Sequence, residues 1–239
     1  MERLRSAPKT IRALILRQET DAAEIVQAAK AAGITFRSAS REEFSRLSPE
    51  AHTQGVLAEV EDFRYVEIED LLRRVEPRPT LVLLDRVTDP QNLGNILRVL
   101  ACLGRFAVVL PKHDSAEVNE TALRVACGGE NHVPIARITN LVGASELAKK
   151  AGYWVAGASP TGGSRLHTAD WPEPLAVVLG SEGSGIRPGL EKHLDLILTL
   201  PMPGAVLSFN VATAAALIGY EITRRRLIKG GSNEKTRSP

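Results

Sequence analysis

Three stretches of the sequence bring together residue types that could do chemistry. Asn92, Gly94 and Arg98 stand at the head of a helical-period segment that follows the strand-like run Leu81 to Leu84. Gly180, Gly183 and Gly185 surround a single carboxylate, Glu182, in LGSEGSGI. Ser208 and Asn210 flank Phe209 between a Pro/Gly turn and an alanine-rich run. Glycines let backbone N–H and C=O groups touch a ligand directly. The glycine spacing matches neither Gly-x-Gly-x-x-Gly nor the phosphate loop Gly-x4-Gly-Lys-Ser/Thr, which disfavours a dinucleotide or ATP site.

Elements to position these residues are readable around them. Leu196 to Leu200 is predicted as a short strand, Met202 to Val206 as a turn, and Asn210 as a cap for the helix that follows. Ala212, Ala214, Ala215 and Ala216 give that helix a surface on which another backbone can approach closely. Asn92 is expected to open a helix with Ile96, Val99, Leu100 and Leu103 as its core stripe. Arg98 falls off that stripe, near the carboxyl ends of strands where open α/β sheets bind ligands.

The apolar runs LVLL, FAVVL, YWVAG, LAVVLG and LILTL from Leu81 onward point to a parallel sheet buried on both faces. Residues 1–72 read as a small α/β unit with strands Ile11 to Leu16 and Val56 to Val60 and a helix Ala22 to Ala32. The loop His52 to Gly55 feeds the second strand, and RRVEPRPT, residues 73–80, is predicted as an interdomain linker. Residues 81–228 form the second domain, and the polar end, residues 229–239, is expected to be a disordered tail.

With 239 residues, 44% of them hydrophobic, the chain can build a core of domain size. No apolar run approaches the roughly 20 residues that cross a bilayer, and the charged start MERLRSAPKT is unlike a signal peptide, so a cytoplasmic protein is expected. Cys102 and Cys127 lack metal or redox spacing and are read as reduced core thiols. Five scattered histidines predict no metal. The net charge is only +2, but both ends are basic, Arg3 to Arg17 and Arg224 to Arg237, and phosphate contact is one explanation.

The ordered set NxGxxxR, LGSEGSGI and LPMPGAVLSFNVA (Leu200 to Ala212) resembles the three signature motifs of the SpoU/TrmH-type RNA 2'-O-ribose methyltransferases. The resemblance continues through Pro111 to Ile135 and into HTQGVLAEV, and so covers nearly the whole chain. Within the family it is most similar to bacterial enzymes that methylate a guanosine of 23S ribosomal RNA.

The resemblance implies an α/β protein with a parallel-sheet SPOUT domain and a C-terminal trefoil knot, preceded by a small α/β RNA-binding domain. It implies S-adenosylmethionine as cofactor, RNA as substrate and a homodimer with no metal or membrane. Carried over by position, Asn92, Arg98, Glu182, Ser208 and Asn210 form the reaction site. Leu179, Gly180, Leu200, Met202, Leu207 and Phe209 frame the cofactor. Phe209 stands where the motif usually has leucine, and Met1 falls where related chains begin with a few more residues.

The family proposal makes Arg98 the proton acceptor, which sits badly with a guanidinium pKa of roughly 12.5 or above. Gripping a phosphate and leaving the proton to that phosphate or to water suits its forked geometry. Family members acting on tRNA or conferring antibiotic resistance share the same motifs. A non-catalytic RNA-binding relative is disfavoured because Asn92, Arg98 and Asn210 are all present.

Overall fold

The structure is a computed structural model that describes residues 1–48, 53–73, 77–181, 183–205 and 207–234, with side chains followed to Lys229. His52, Glu182 and the segment 74–76 lie outside the described residues, as do Val206 and residues 235–239. The chain divides into two compact units, Met1–Arg64 and Tyr65–Pro239.

In the first unit the elements are α1 (Glu2–Ser6), β1 (Ile11–Arg17), α2 (Ala23–Ala31), β2 (Thr35–Ala39), α3 (Arg41–Leu47) and β3 (Val56–Val60). Central β1 runs parallel to β2 and antiparallel to β3. Leu4, Ile11, Leu14, Ala29 and Ile34 form its core. Ser40 caps α3 by accepting a hydrogen bond from the Glu43 N–H, as a serine before a helix does. β2 was not foreseen, because four of its five residues are exposed and TFRSA carries no apolar alternation.

The second unit contains α4 (Ile68–Leu72), β4 (Thr80–Leu84), α5 (Pro90–Leu103), β5 (Phe106–Pro111), α6 (Glu120–Ala126) and β6 (Ile135–Ile138). It continues with α7 (Leu141–Lys150), β7 (Trp154–Ser159), β8 (Ser164–Arg165), β9 (Leu175–Leu179), α8 (Pro188–Glu191), β10 (Leu196–Thr199) and α9 (Val211–Glu234). Seven strands lie in the order β6-β5-β4-β9-β7-β10-β8, and every pairing is parallel. Each residue of β4, β5 and β9 is buried, as expected of strands covered on both faces.

Several boundaries differ from the sequence reading. The units divide at Arg64/Tyr65 rather than after Leu72, because Ile68 and Leu71 are buried in the same core as Leu81, Leu83 and Val109. Arg78 donates to the Ala151 carbonyl and Thr80 begins β4, so both belong to the second unit. α5 is opened by Asp89, whose carboxylate accepts from the Gln91 N–H, with Pro90 in the first helical position; Asn92 sits inside the first turn. Its stripe is Leu93, Ile96, Leu97 and Leu100, with Val99 and Leu103 only half-buried.

α9 continues to Glu234, past the predicted start of the tail, since interior glycines such as Gly230 and Gly231 cost a helix only about 1 kcal/mol each. Cys102 and Cys127 are free thiols but exposed rather than core. The basic triplet near the end of α9 is engaged internally. Arg224 and Arg225 both bind Glu221, and Arg225 also covers the Trp171 ring at 3.7 Å and donates to the carbonyls of Leu166 and Ala169. Arg226 reaches Glu173 and Thr80, and burial pushes its guanidinium below its usual range.

Candidate active site

A cleft of about 480 Å³ opens beyond the carboxyl ends of β7, β9 and β10, the place where parallel α/β sheets take ligands. One wall is the glycine loop after β9. Gly185 turns the chain at φ +63, and its N–H donates to the Ser181 carbonyl at 2.9 Å. Gly180 has no room for a side chain, because a Cβ there would run into the backbone of Gly185 and Ile186. A second wall comes from Leu200, Met202, Ser208 and Phe209, on the segment between β10 and α9. Gly157 to Pro160 at the end of β7, with Ile186, Glu191 and Leu194, add to the lining.

Two sets of contacts tie the glycine loop to the end of β4. Asp85 is wholly buried; its Oδ2 accepts from the Arg187 N–H at 2.8 Å and its Oδ1 from Arg187 Nε at 2.7 Å. Its neighbour Arg86, held at φ +59, donates from Nη2 to the Gly185 carbonyl at 3.1 Å. A non-glycine residue in that region of backbone space is uncommon and is sustained here by the surrounding contacts.

Asn210 joins two of the three motifs. Its Oδ1 accepts from the Ala212 N–H at 2.8 Å and caps α9, while its Nδ2 donates to Asn92 Oδ1 at 2.9 Å across 118 residues of chain. The amide therefore ends one helix and fixes a side chain on another. Gly94 does not face a ligand; a Cβ there would meet the Ala122 carbonyl and Val125 of α6, so its smallness serves helix packing.

Of the residues expected to frame the cofactor, Leu179, Gly180, Leu200, Met202 and Phe209 line the cleft. Leu207 does not; it is 76% exposed, because the segment before α9 turns it outward while Ser208 and Phe209 face the cleft. Among the expected reaction residues, Ser208 lines the cleft and Asn210 and Asn92 are bonded beside its wall. Arg98 is outside the lining, exposed on α5, with its Nη1 3.5 Å from Cys127 Sγ. Glu182 lies outside the described residues. Sequence reasoning missed Asp85, Arg187 and Glu191, whose partners or position become visible only once the strands are ordered.

The residues present fit a nucleoside-sized cofactor. Leu179, Leu200, Met202 and Phe209 and the close-packed backbone of the glycine loop line a slot in which a flat base could contact carbon while its polar edge met main chain.

Residues 79–220 match the SpoU rRNA Methylase family, and residues 1–66 match the RNA 2'-O ribose methyltransferase substrate-binding family. These matches define the class, an RNA 2'-O-ribose methyltransferase carrying its own substrate-binding unit. The chain belongs to the SpoU rRNA methylase family.

It is 35% identical over 237 residues to the 23S rRNA (guanosine-2'-O-)-methyltransferase RlmB of Neisseria meningitidis, covering 98% of this chain and 94% of that protein. An uncharacterized tRNA/rRNA methyltransferase of Synechocystis is 36% identical over 84% of this chain, which spans 53% of the length of that relative. Among solved structures, a TrmH-family RNA methyltransferase from Porphyromonas gingivalis superposes with a TM-score of 0.74 at 29% identity, over 94% of this chain and 86% of that one. The SpoU methyltransferase AviRb of Streptomyces viridochromogenes, solved with AdoMet, shares the fold with a TM-score of 0.76 at 24% identity, over 95% and 89% of the two chains.

Proposed function

We propose that this protein transfers the methyl group of S-adenosylmethionine to a ribose 2'-hydroxyl of ribosomal RNA, at a guanosine of the 23S molecule. The observation that carries the reading is the convergence of three distant motifs: the glycine loop and the Ser208–Phe209 segment wall one cleft, and Asn210 bonds Asn92 beside it. The RlmB relatives, which match nearly end to end, support the choice of 23S guanosine.

When bound, the cofactor supplies an activated methyl group on a sulfonium. Leu179, Gly180, Leu200, Met202 and Phe209 would hold it. The ribose hydroxyl is a poor nucleophile, so the protein's part is placement and a route for the proton. Ser208 at the wall and the Asn210–Asn92 pair beside it are polar groups able to orient that hydroxyl. Arg98 stays protonated, grips the adjacent phosphate and leaves the proton to that phosphate or to water. Glu182 is assigned to the reaction site on the motif alone.

The active unit is a homodimer, and its second copy completes the site, consistent with Arg98 standing apart from the cleft of its own chain. Exposed Thr213, Leu217, Tyr220 and Leu227 follow one another along α9 at helical spacing and suit such a partner. A C-terminal trefoil knot belongs to the same reading, on the strength of the family match alone. Residues 1–66 read the RNA, and the protein works in the cytoplasm, where ribosomes mature. No described helix is long and apolar enough to cross a membrane, and no described cluster of residues could hold a metal.

Mapping 2'-O-methyl groups in ribosomal and transfer RNA from a deletion strain tests the reading. One 23S guanosine should lose its methyl group and regain it with the wild-type gene but not with Arg98→Ala. Loss confined to a tRNA, or restoration by Arg98→Ala, would overturn the substrate or the role of Arg98.

A further inference from the structure

We infer that Glu191 anchors the cofactor, its carboxylate accepting hydrogen bonds from the vicinal hydroxyls of the cofactor ribose; the assignment rests on the reading of the cleft as the S-adenosylmethionine site. Among the described residues that line the cleft, Glu191 is the one with a charged side chain. Its backbone is fixed at the end of α8, with its N–H donating to the Arg187 carbonyl at 2.9 Å and its carbonyl accepting from the Leu194 N–H at 3.1 Å. The carboxylate has no hydrogen bond or ion pair with any described residue, whereas Asp85 and Glu221 are fully engaged by arginines.

The surroundings of Glu191 decide what it takes. Leu194, one turn on, and Ile186 press against Gly157 so closely that a Cβ there would collide with Leu194 and crowd Ile186, making that part of the cleft apolar. A carboxylate beside an apolar slot matches the two halves of a nucleoside. An ionised carboxylate is a pure acceptor with room for two donors, and an acidic side chain on ribose hydroxyls is the same solution that dinucleotide sites use. Glu191 has no hydrogen bond to Ser208, Asn210 or Asn92, and the role inferred for it is in binding.

The test is calorimetric titration of the full-length wild type, Glu191→Gln and Glu191→Ala with S-adenosylmethionine and with 5'-methylthioadenosine, which keeps the ribose hydroxyls but lacks the amino-acid tail. Glu191→Ala should weaken both ligands by about tenfold or more, since two hydrogen bonds to a charged group are lost, and Glu191→Gln by less. Thermal stability should stay unchanged, since the side chain has no partner to lose. Equal affinity of the variants and the wild type would overturn the assignment. So would a loss confined to S-adenosylmethionine, because the carboxylate would then serve a positive charge, ammonium or sulfonium, that 5'-methylthioadenosine lacks. A wild type that binds neither ligand would remove the reading of the cleft itself, and this assignment with it.

Discussion

Asp85 and Arg187 lie 102 residues apart in sequence and meet through two hydrogen bonds of 2.8 and 2.7 Å, one from the backbone and one from the guanidinium. Asp85 directly follows β4 and Arg187 follows the glycine loop after β9, so the pair holds that loop against the neighbouring strand. A fully buried carboxylate needs this arrangement, since an unpaired charge inside a protein is costly.

Removing the cation from that pair exposes its cost. Arg187→Ala should lower the unfolding free energy by about 1.5 kcal/mol, the lower end for one hydrogen bond to a charged group, because the guanidinium is partly exposed and Arg86 Nε stays 4.0 Å from the carboxylate. Urea denaturation measures it, and calorimetry should find cofactor binding weakened as the glycine loop loosens. A change under about 0.5 kcal/mol, typical of a surface site, would contradict the structural role.

Asn210 performs two tasks that substitution separates. Serine can cap α9 but is too short to reach Asn92, so Asn210→Ser should keep most of the stability and lose methyl transfer. Asn210→Ala should lose the activity and about 1 kcal/mol besides, the usual value of an N-cap. Chemical denaturation and a tritium-transfer assay read the two effects, and an active Asn210→Ser enzyme would confine the residue to capping.

Glu221 gives the fold an acid-sensitive contact. The hydrogen bonds from Arg224 above all, with Arg225 adding, outweigh burial and hold its carboxyl at about 2, against an ordinary 4.5. A lowered folded-state pKa contributes stability that is fully present above 4.5 and lost as pH falls toward 2. The stability gap between wild type and Glu221→Gln should therefore be constant near neutrality and shrink through that window. Thermal melts across pH measure it, and a gap independent of pH would refute the linkage.

The exposed stripe of α9 tests the proposed dimer. Ala215 is only 3% exposed, packed among Val82, Leu100 and Phe106 of its own chain, so enlarging it would damage the core rather than an interface. Tyr220 is 61% exposed, and Leu217→Glu with Tyr220→Glu should leave the monomer folded. Sedimentation velocity should show wild-type dimers and inactive variant monomers. A monomeric wild type at micromolar concentration would remove the dimer from the mechanism.

Local residue order carried a large share of the fold and of the site. Runs such as Leu81 to Leu84 and Leu175 to Leu179 have no polar alternation, which suffices to predict buried parallel strands. Asn210 as a helix cap was legible from its neighbours, whereas Gly180, Leu200, Met202 and Phe209, which line the cleft, were picked out as cofactor residues only by the family resemblance. Less legible were β2, almost wholly exposed, and the division of the units, because whether Ile68 and Leu71 join one core or the other depends on distant partners.

By itself, the sequence determined the period of each element, its caps and the chemical kinds of residue available to a site, because these follow from interactions between near neighbours. Only the tertiary structure decided strand order, and with it which ends share a cleft. The pairing of β4 with β9 brings Asp85 to Arg187, and the start of α9 brings Asn210 to Asn92. Such contacts close loops of more than a hundred residues, and no local pattern encodes the partner. The same reason separates Ser208 in the cleft from Leu207 outside it, and buries Glu221 beside its arginines: burial is set by what folds against a residue, not by its type.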